Sequence, residues 1–158
     1  MAFDRTDPTD LAELKSEVLT DPNGYGYIPE NTDSGVLDII NMKRPEITVN
    51  KPRISAADIR SDVTYDAYDT LAIDEQEWIR WITGSNGVNE ESVNVTADLR
   101  QQLAGDPTPT GSIWATAHRT EMNAAMSALM DVPGTRAEQL WGYGTTITRD
   151  DWFAARDS

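Results

Sequence analysis

The chain has 158 residues, enough to bury a core, and its 27 acidic against 13 basic side chains give a net charge of −14. This charge excludes a free-standing nucleic-acid binder that neutralises phosphates and disfavours anionic membranes, and no apolar run approaches the roughly 18 residues of a membrane span. The lack of cysteine excludes disulfides and thiolate or Cys-ligated metal sites, and the single histidine excludes a pair of imidazoles.

Helical spacing of apolar residues predicts short helices in the first half of the chain. A first helix is predicted from about Pro8 to Leu19, ended by the turn signal Asp21–Gly24, and residues 25–29 are expected to form a loop. A second helix is predicted from about Thr32. A third is predicted from Ser55, which can cap it.

The stretch between the second and third helices is predicted to be extended. Ile47, Thr48 and Val49 are β-branched and lie between two prolines, a pattern typical of a short edge strand. We expect this strand to pair with residues 145–147, which are also rich in β-branched side chains.

Helices also account for most of the second half. The strongest apolar stripe is predicted to be capped by Asp74 and to contain Trp78, Ile79, Trp81 and Ile82. The Gly-rich residues 84–87 are expected to form a loop, and a helix follows from Thr96 to about Gly105. Beyond it, helical segments are predicted around residues 113–129, 136–141 and 149–153.

Together these elements predict a mainly α protein with about seven short helices and at most a small two-stranded β ladder. We expect one compact domain over residues 1–158, with an extended arm or strand at 44–54. Residues 106–111, rich in Pro, Thr and Gly, are predicted to link two helices.

Charge is distributed unevenly, and this pattern supplies the candidate subunit contacts. Residues 58–77 carry seven acids and one Arg, whereas residues 43–53 carry four basic residues and one Glu. In a ring of identical subunits the acidic helices can meet the basic segment of a neighbour; otherwise they form a solvated face beside a charged loop. The candidate contacts are Lys43, Arg44, Lys51, Arg53, Asp58, Asp62, Asp66, Asp69, Trp78 and Trp81.

No motif predicts catalysis, a cofactor or a metal. The loop from Asp21 is similar in its first residues to a calcium loop, but Tyr25 and Thr32 occupy two ligand positions, so a simple turn is favoured. His118 has no identifiable partner for base catalysis, and Glu77 fits the polar face of a helix better than a catalytic acid. The sequence therefore predicts no catalytic, cofactor-binding or metal-binding residues.

Two stretches resemble a known group of proteins. They are Leu11–Pro22 followed by Gly24–Tyr27, and Gly134–Thr145 followed by Ile147–Trp152. Together they resemble small helical proteins encoded among the virion structural genes of tailed bacteriophages. The resemblance implies a non-enzymatic neck protein, a head-to-tail adaptor or connector that docks as a homo-oligomeric ring under the portal.

That resemblance also implies partners and a location. The partners are further copies of the chain, the portal and other neck or tail proteins, and DNA that passes through the channel without specific binding. The protein is expected in the neck of the virion after synthesis in the host bacterial cytoplasm. The alternatives are a tail terminator, a capsid-decorating protein, an acidic DNA-mimic inhibitor of a host enzyme, and a small hydrolase that uses carboxylates alone.

Overall fold

The computed structural model describes residues 2–30, 32–84 and 92–158. Within these ranges the chain is mainly helical, with seven helices of at least seven residues and very little β structure, so the predicted fold class is confirmed. It divides into two compact units: Met1–Val49 with Pro133–Ser158, and Asn50–Val132. The expectation of a single domain stays a prediction.

The described residues form short helices and strands. The helices are α1 (Pro8–Thr20), α2 (Tyr27–Glu30), α3 (Asp33–Ile40), α4 (Ala56–Asp62), α5 (Tyr65–Asp69), α6 (Ile73–Ile82), α7 (Ala97–Ala104), α8 (Thr116–Met130), α9 (Arg136–Trp141) and α10 (Arg149–Asp157). The strands are β1 (Arg44–Asn50), β2 (Arg53–Ser55), β3 (Ser92–Asn94) and β4 (Asp131–Gly134). None of these helices combines the length and the apolar character needed to cross a membrane.

The first unit packs α1, α3, α9 and α10 around one apolar cluster. Leu14 of α1 and Ile40 of α3 are fully buried there, beside Trp141 and Trp152. The Asp7 carboxylate accepts a hydrogen bond from the backbone N–H of Thr9 at 2.8 Å, which caps α1. Capping and apolar spacing thus place α1 within a residue of its predicted bounds.

The second unit is built around α8, which packs against α4 and α7. Its core contains Ile59, Leu103 and Met126, all fully buried. Trp114 lies just before α8 and is also fully buried, and its indole N–H donates to the backbone oxygen of Leu103 at 2.6 Å. This bond satisfies the polar atom that a buried tryptophan carries into the core. Residues 106–111 join α7 to α8, as predicted.

Two pairs of strands provide the β structure of the described residues. The predicted strand at 47–49 is part of β1, but β1 pairs with β4, so the predicted pairing with residues 145–147 is wrong. Ile147 instead takes part in a side-chain bridge, because its backbone N–H donates to Asn41 Oδ1 at 2.9 Å and its oxygen accepts from Asn41 Nδ2 at 2.8 Å. The second pair, β2 with β3, is antiparallel and places Arg53 opposite Asn94.

Two local predictions also differ from the structure, and a third is not tested by it. Tyr27 begins the short helix α2 where a loop was expected. Helix α6 begins at Ile73 after Ala72, so Asp74 lies inside its first turn and is not the cap; Glu75 Oε2 accepts from the backbone N–H of Ala72 at 3.0 Å. The loop predicted at residues 84–87 lies, apart from its first residue, outside the described residues.

Candidate interaction surface

Helix α6 presents large apolar side chains to solvent. Ile73 is 76% exposed and Trp81 is 69% exposed, whereas Ile79 and Ile82 of the same helix are buried in the core of the second unit. Residues four apart lie on one side of a helix, so Ile73, Glu77 and Trp81 form one strip, which we call the α6 face. An exposed indole and isoleucine on one strip are typical of a protein contact.

Exposed carboxylates lie on three consecutive helices, α4, α5 and α6. Asp58 and Asp62 lie on α4, Asp66 and Asp69 on α5, and Asp74 and Glu77 on α6; all six are exposed. None of the ion pairs found within the described ranges includes any of these six side chains. The acidic helices therefore present negative charge that the chain itself does not neutralise by a direct ion pair within those ranges.

Side-chain bonds hold the acidic helices in place. Gln76 of α6 donates through Nε2 to the backbone oxygens of Tyr68 and Leu71, each at 3.2 Å, which fixes the connection between α5 and α6. Arg60 of α4 donates to the backbone oxygen of Thr83 at the end of α6. The arginines of this region are thus engaged locally: the Arg80 guanidinium also lies 5.7 Å from the Tyr68 ring centroid.

The two tryptophans of α6 have different environments. Trp78 is half-buried against the core and lines a cleft of about 350 Å³ together with Asp74, Glu75, Asp98, Gln102 and Ile113. Trp81 points away from the core. The expectation that both belong to one apolar stripe is wrong for Trp81, since two residues correspond to about 200° around a helix and separate it from the buried Ile79.

Of the basic candidates in the first unit, one is exposed and one is engaged within its own unit. Lys43 is exposed. The Arg44 side chain is only 14% exposed; its guanidinium lies 4.2 Å from the centroid of the Tyr25 ring and 3.8 Å from a carboxylate oxygen of Glu46. Stacking and pairing engage the Arg44 guanidinium inside the unit, and its Nε is buried, which removes it from the residues available for a partner.

The basic candidates of the second unit are Lys51 and Arg53, which flank the start of β2. Lys51 is half-buried, and its backbone N–H donates to the oxygen of Met130 at 2.8 Å. Arg53 is exposed, and its Nε donates to the hydroxyl of Ser92 on β3 at 2.8 Å. The strand pair and this bond hold the guanidinium at the surface.

Ile73 is a contact candidate that the sequence analysis missed. The spacing in the sequence does indicate this residue. Ile73 lies four residues before Glu77 and eight before Trp81, whereas the buried stripe of α6 runs through Ile79 and Ile82. Treating all four apolar residues of the stripe as one face hid the second face. Tyr65, the first residue of α5, was also not selected and is 77% exposed.

The structure describes the three residues that were weighed for chemistry, Asp21, His118 and Glu77. The Asp21 carboxylate accepts hydrogen bonds from the backbone N–H groups of Tyr25 at 2.7 Å and Gly26 at 2.8 Å, so its oxygens close the turn that was favoured over a calcium loop. No group of three or more potential metal ligands occurs among the described residues. His118 is half-buried on α8, and Glu77 is exposed.

Comparisons with known proteins give no further guide: no family profile matches the chain, and no curated protein or solved structure shows a significant match.

Proposed function

We propose that this protein is a structural virion component of a tailed bacteriophage, a neck adaptor whose copies form a ring under the portal. The α6 face is the observation that carries this proposal. A ring subunit needs apolar side chains that become buried only on assembly, and tryptophan is among the residues most enriched at the centres of protein contacts. Ile73 and Trp81 are apolar and largely exposed in the single chain, which supports this role.

The excess of negative charge supports the same role. In a ring through which DNA passes, a lumen rich in carboxylates repels the polyanion and keeps it from binding. The six exposed carboxylates of α4, α5 and α6 are placed on elements that the core fixes, so they supply a stable negative surface. The portal and other neck or tail proteins are then the partners of the ring, and DNA is cargo that moves past it.

The test is the location of the protein and the effect of the α6 face on it. We expect mass spectrometry of purified virions to detect the protein, and electron microscopy to place its density between the portal and the tail. Trp81→Ala is expected to melt like the wild type and to lower incorporation about thirtyfold or more, since a central Trp contact is worth about 2 kcal/mol or more. Leu19→Ala, which changes a side chain 60% exposed on α1, is the matched control and is expected to incorporate normally.

Other outcomes identify the alternatives. Density that caps the tail tube without docking on the portal indicates a tail terminator, and density on the capsid surface indicates a decorating protein. Absence from virions together with recovery on a host nuclease or polymerase indicates a DNA mimic, for which the unpaired carboxylates of α4 to α6 imitate phosphates. Either result contradicts the adaptor.

A further inference from the structure

The α6 face does not suit a contact with its own equivalent in another copy. Glu77 lies within the face, between Ile73 and Trp81, and Asp74 borders it in the first turn of α6. A two-fold contact would bring these carboxylates against themselves, and like charges in a desolvated contact are strongly unfavourable. The surface that covers this face must therefore carry positive charge.

The positive side of such a contact needs a cation that no carboxylate of the same chain already pairs. Within the described ranges five arginines pair with carboxylates, namely Arg5, Arg44, Arg100, Arg136 and Arg156. Lys15, Arg60 and Arg119 donate to backbone oxygens, and Arg80 and Arg149 lie over aromatic rings. Arg53 also donates only to neutral atoms in the described ranges, the hydroxyl and the backbone oxygen of Ser92. It is singled out because it is exposed and lies in the same unit as the α6 face, outside the helices α4 and α6 that carry Arg60 and Arg80.

The chemistry of Arg53 matches that of the α6 face. A guanidinium stacks on an indole and at the same time donates to a carboxylate, which an ammonium group does less well. Trp81 presents an exposed indole, and Glu77 lies one turn before it on the same strip. Arg53 is also preorganised by the β2–β3 pair and by its 2.8 Å bond to Ser92, which lowers the entropy lost on binding.

We infer that Arg53 of one copy docks on the α6 face of the next copy, stacking on Trp81 and pairing with Glu77. This inference rests on the proposed function, in which identical copies form a ring. The contact joins two different surfaces of the same chain, so it is head-to-tail and is repeated at every interface of a closed ring. It assigns the positive side of the contact to Arg53 and not to Lys43 or Arg44.

Reversing the charges of Arg53 and Glu77, singly and together, tests this contact, because the double reversal is expected to restore assembly that each single reversal impairs. Arg53→Glu and Glu77→Arg each place like charges in the contact, and each alone is expected to lower incorporation into virions about tenfold or more. The double variant R53E/E77R restores an opposite pair in every interface and is expected to recover most of the incorporation but not all of it, because the stacking of Arg53 on Trp81 is lost. An equal mixture of the two single variants is also expected to assemble in a ring with an even number of copies, because alternating copies then place Glu opposite Arg at each interface.

Controls separate this inference from the proposed function. Lys43→Glu makes the same charge change at another exposed cation and is expected to have little effect; a loss equal to that of R53E overturns the choice of Arg53. If the wild type is found in virions and R53E is incorporated normally, the inference about Arg53 is wrong and the proposal of a neck adaptor is unaffected. If the wild type is absent from virions, the adaptor fails, and sedimentation of the purified protein at millimolar concentration decides the contact. Association that R53E abolishes and R53E/E77R restores supports the contact, and a monomer throughout overturns it.

Discussion

The buried ion pair between α1 and α9 offers a direct test of what stabilises the first unit. Arg136 donates through Nε and one terminal nitrogen to the two carboxylate oxygens of Glu17, each at 2.8 Å. The Glu17 side chain is 4% exposed and that of Arg136 is 14% exposed. Arg136→Met removes the cation and leaves a carboxylate that water hardly reaches.

We expect Arg136→Met to lower the free energy of unfolding by about 3–5 kcal/mol, the range found when one partner of a buried pair is removed. Glu17→Gln is expected to have a smaller effect, since Arg136 is the more exposed partner and keeps a bond to Gln139. The double variant is expected to be more stable than Arg136→Met alone, because it leaves no unpaired buried charge. Urea unfolding followed by tryptophan fluorescence measures all four proteins.

The double-mutant cycle decides whether the pair acts as a unit. A loss below about 1 kcal/mol for Arg136→Met shows that Glu17 is reached by water or by another cation when the arginine is absent. Strictly additive single effects show that the two side chains stabilise the unit independently. Either result refutes the reasoning from burial and bidentate geometry.

Two further predictions concern single residues. Burial raises the pKa of the Tyr27 hydroxyl well above its ordinary range, with a further contribution from Glu17, so above about pH 10 the unfolded chain loses a proton that the folded chain retains and stability falls with rising pH. Unfolding measured between pH 9 and 11, about one unit either side of pH 10, tests this. The free energy of unfolding of Tyr27→Phe is expected to fall less steeply with pH than that of the wild type, and equal slopes contradict the prediction. Gly105→Ala is expected to lower the free energy of unfolding by about 1–3 kcal/mol, because its φ is +63° and a Cβ would lie 2.8 Å from the backbone of Pro109. Gly24→Ala, with φ +68° and no atom within 4 Å of a Cβ, is the control, with an expected loss of about 1 kcal/mol; equal losses show that the loop after α7 yields to the new methyl group.

Capping and apolar spacing made most helices predictable from the sequence. Thr135 and Glu138 form the reciprocal capping bonds expected before α9, since the Thr135 hydroxyl accepts from the backbone N–H of Glu138 and Glu138 Oε2 accepts from that of Thr135. Ser55 likewise caps α4, accepting from the backbone N–H of Asp58 at 3.3 Å. These signals are local, so neighbouring residues alone determine them.

Strand pairing was less predictable because it depends on distant residues. Ile47–Val49 and residues 145–147 both favour extended backbone, but β1 pairs with β4, and a side chain, Asn41, bonds to Ile147. A short apolar stretch does not encode its partner. Trp81 is a different case: its apolar side chain favours the core, but its angular position relative to Ile79 and Ile82, which local spacing gives, places it outside.

The proposed contact and the net charge together constrain how a ring would form. Each copy carries −14, so free copies repel one another, and the charge acts over about the 8 Å Debye length of physiological salt. One arginine on an indole and a carboxylate contributes only a few kcal/mol, too little to hold such copies together at low concentration. A binding partner that holds several copies side by side makes each contact intramolecular and raises its effective concentration to the millimolar range. In the proposed ring the portal supplies that template, so free subunits stay apart until they dock, and the contact between Arg53 and Trp81 then selects the head-to-tail orientation.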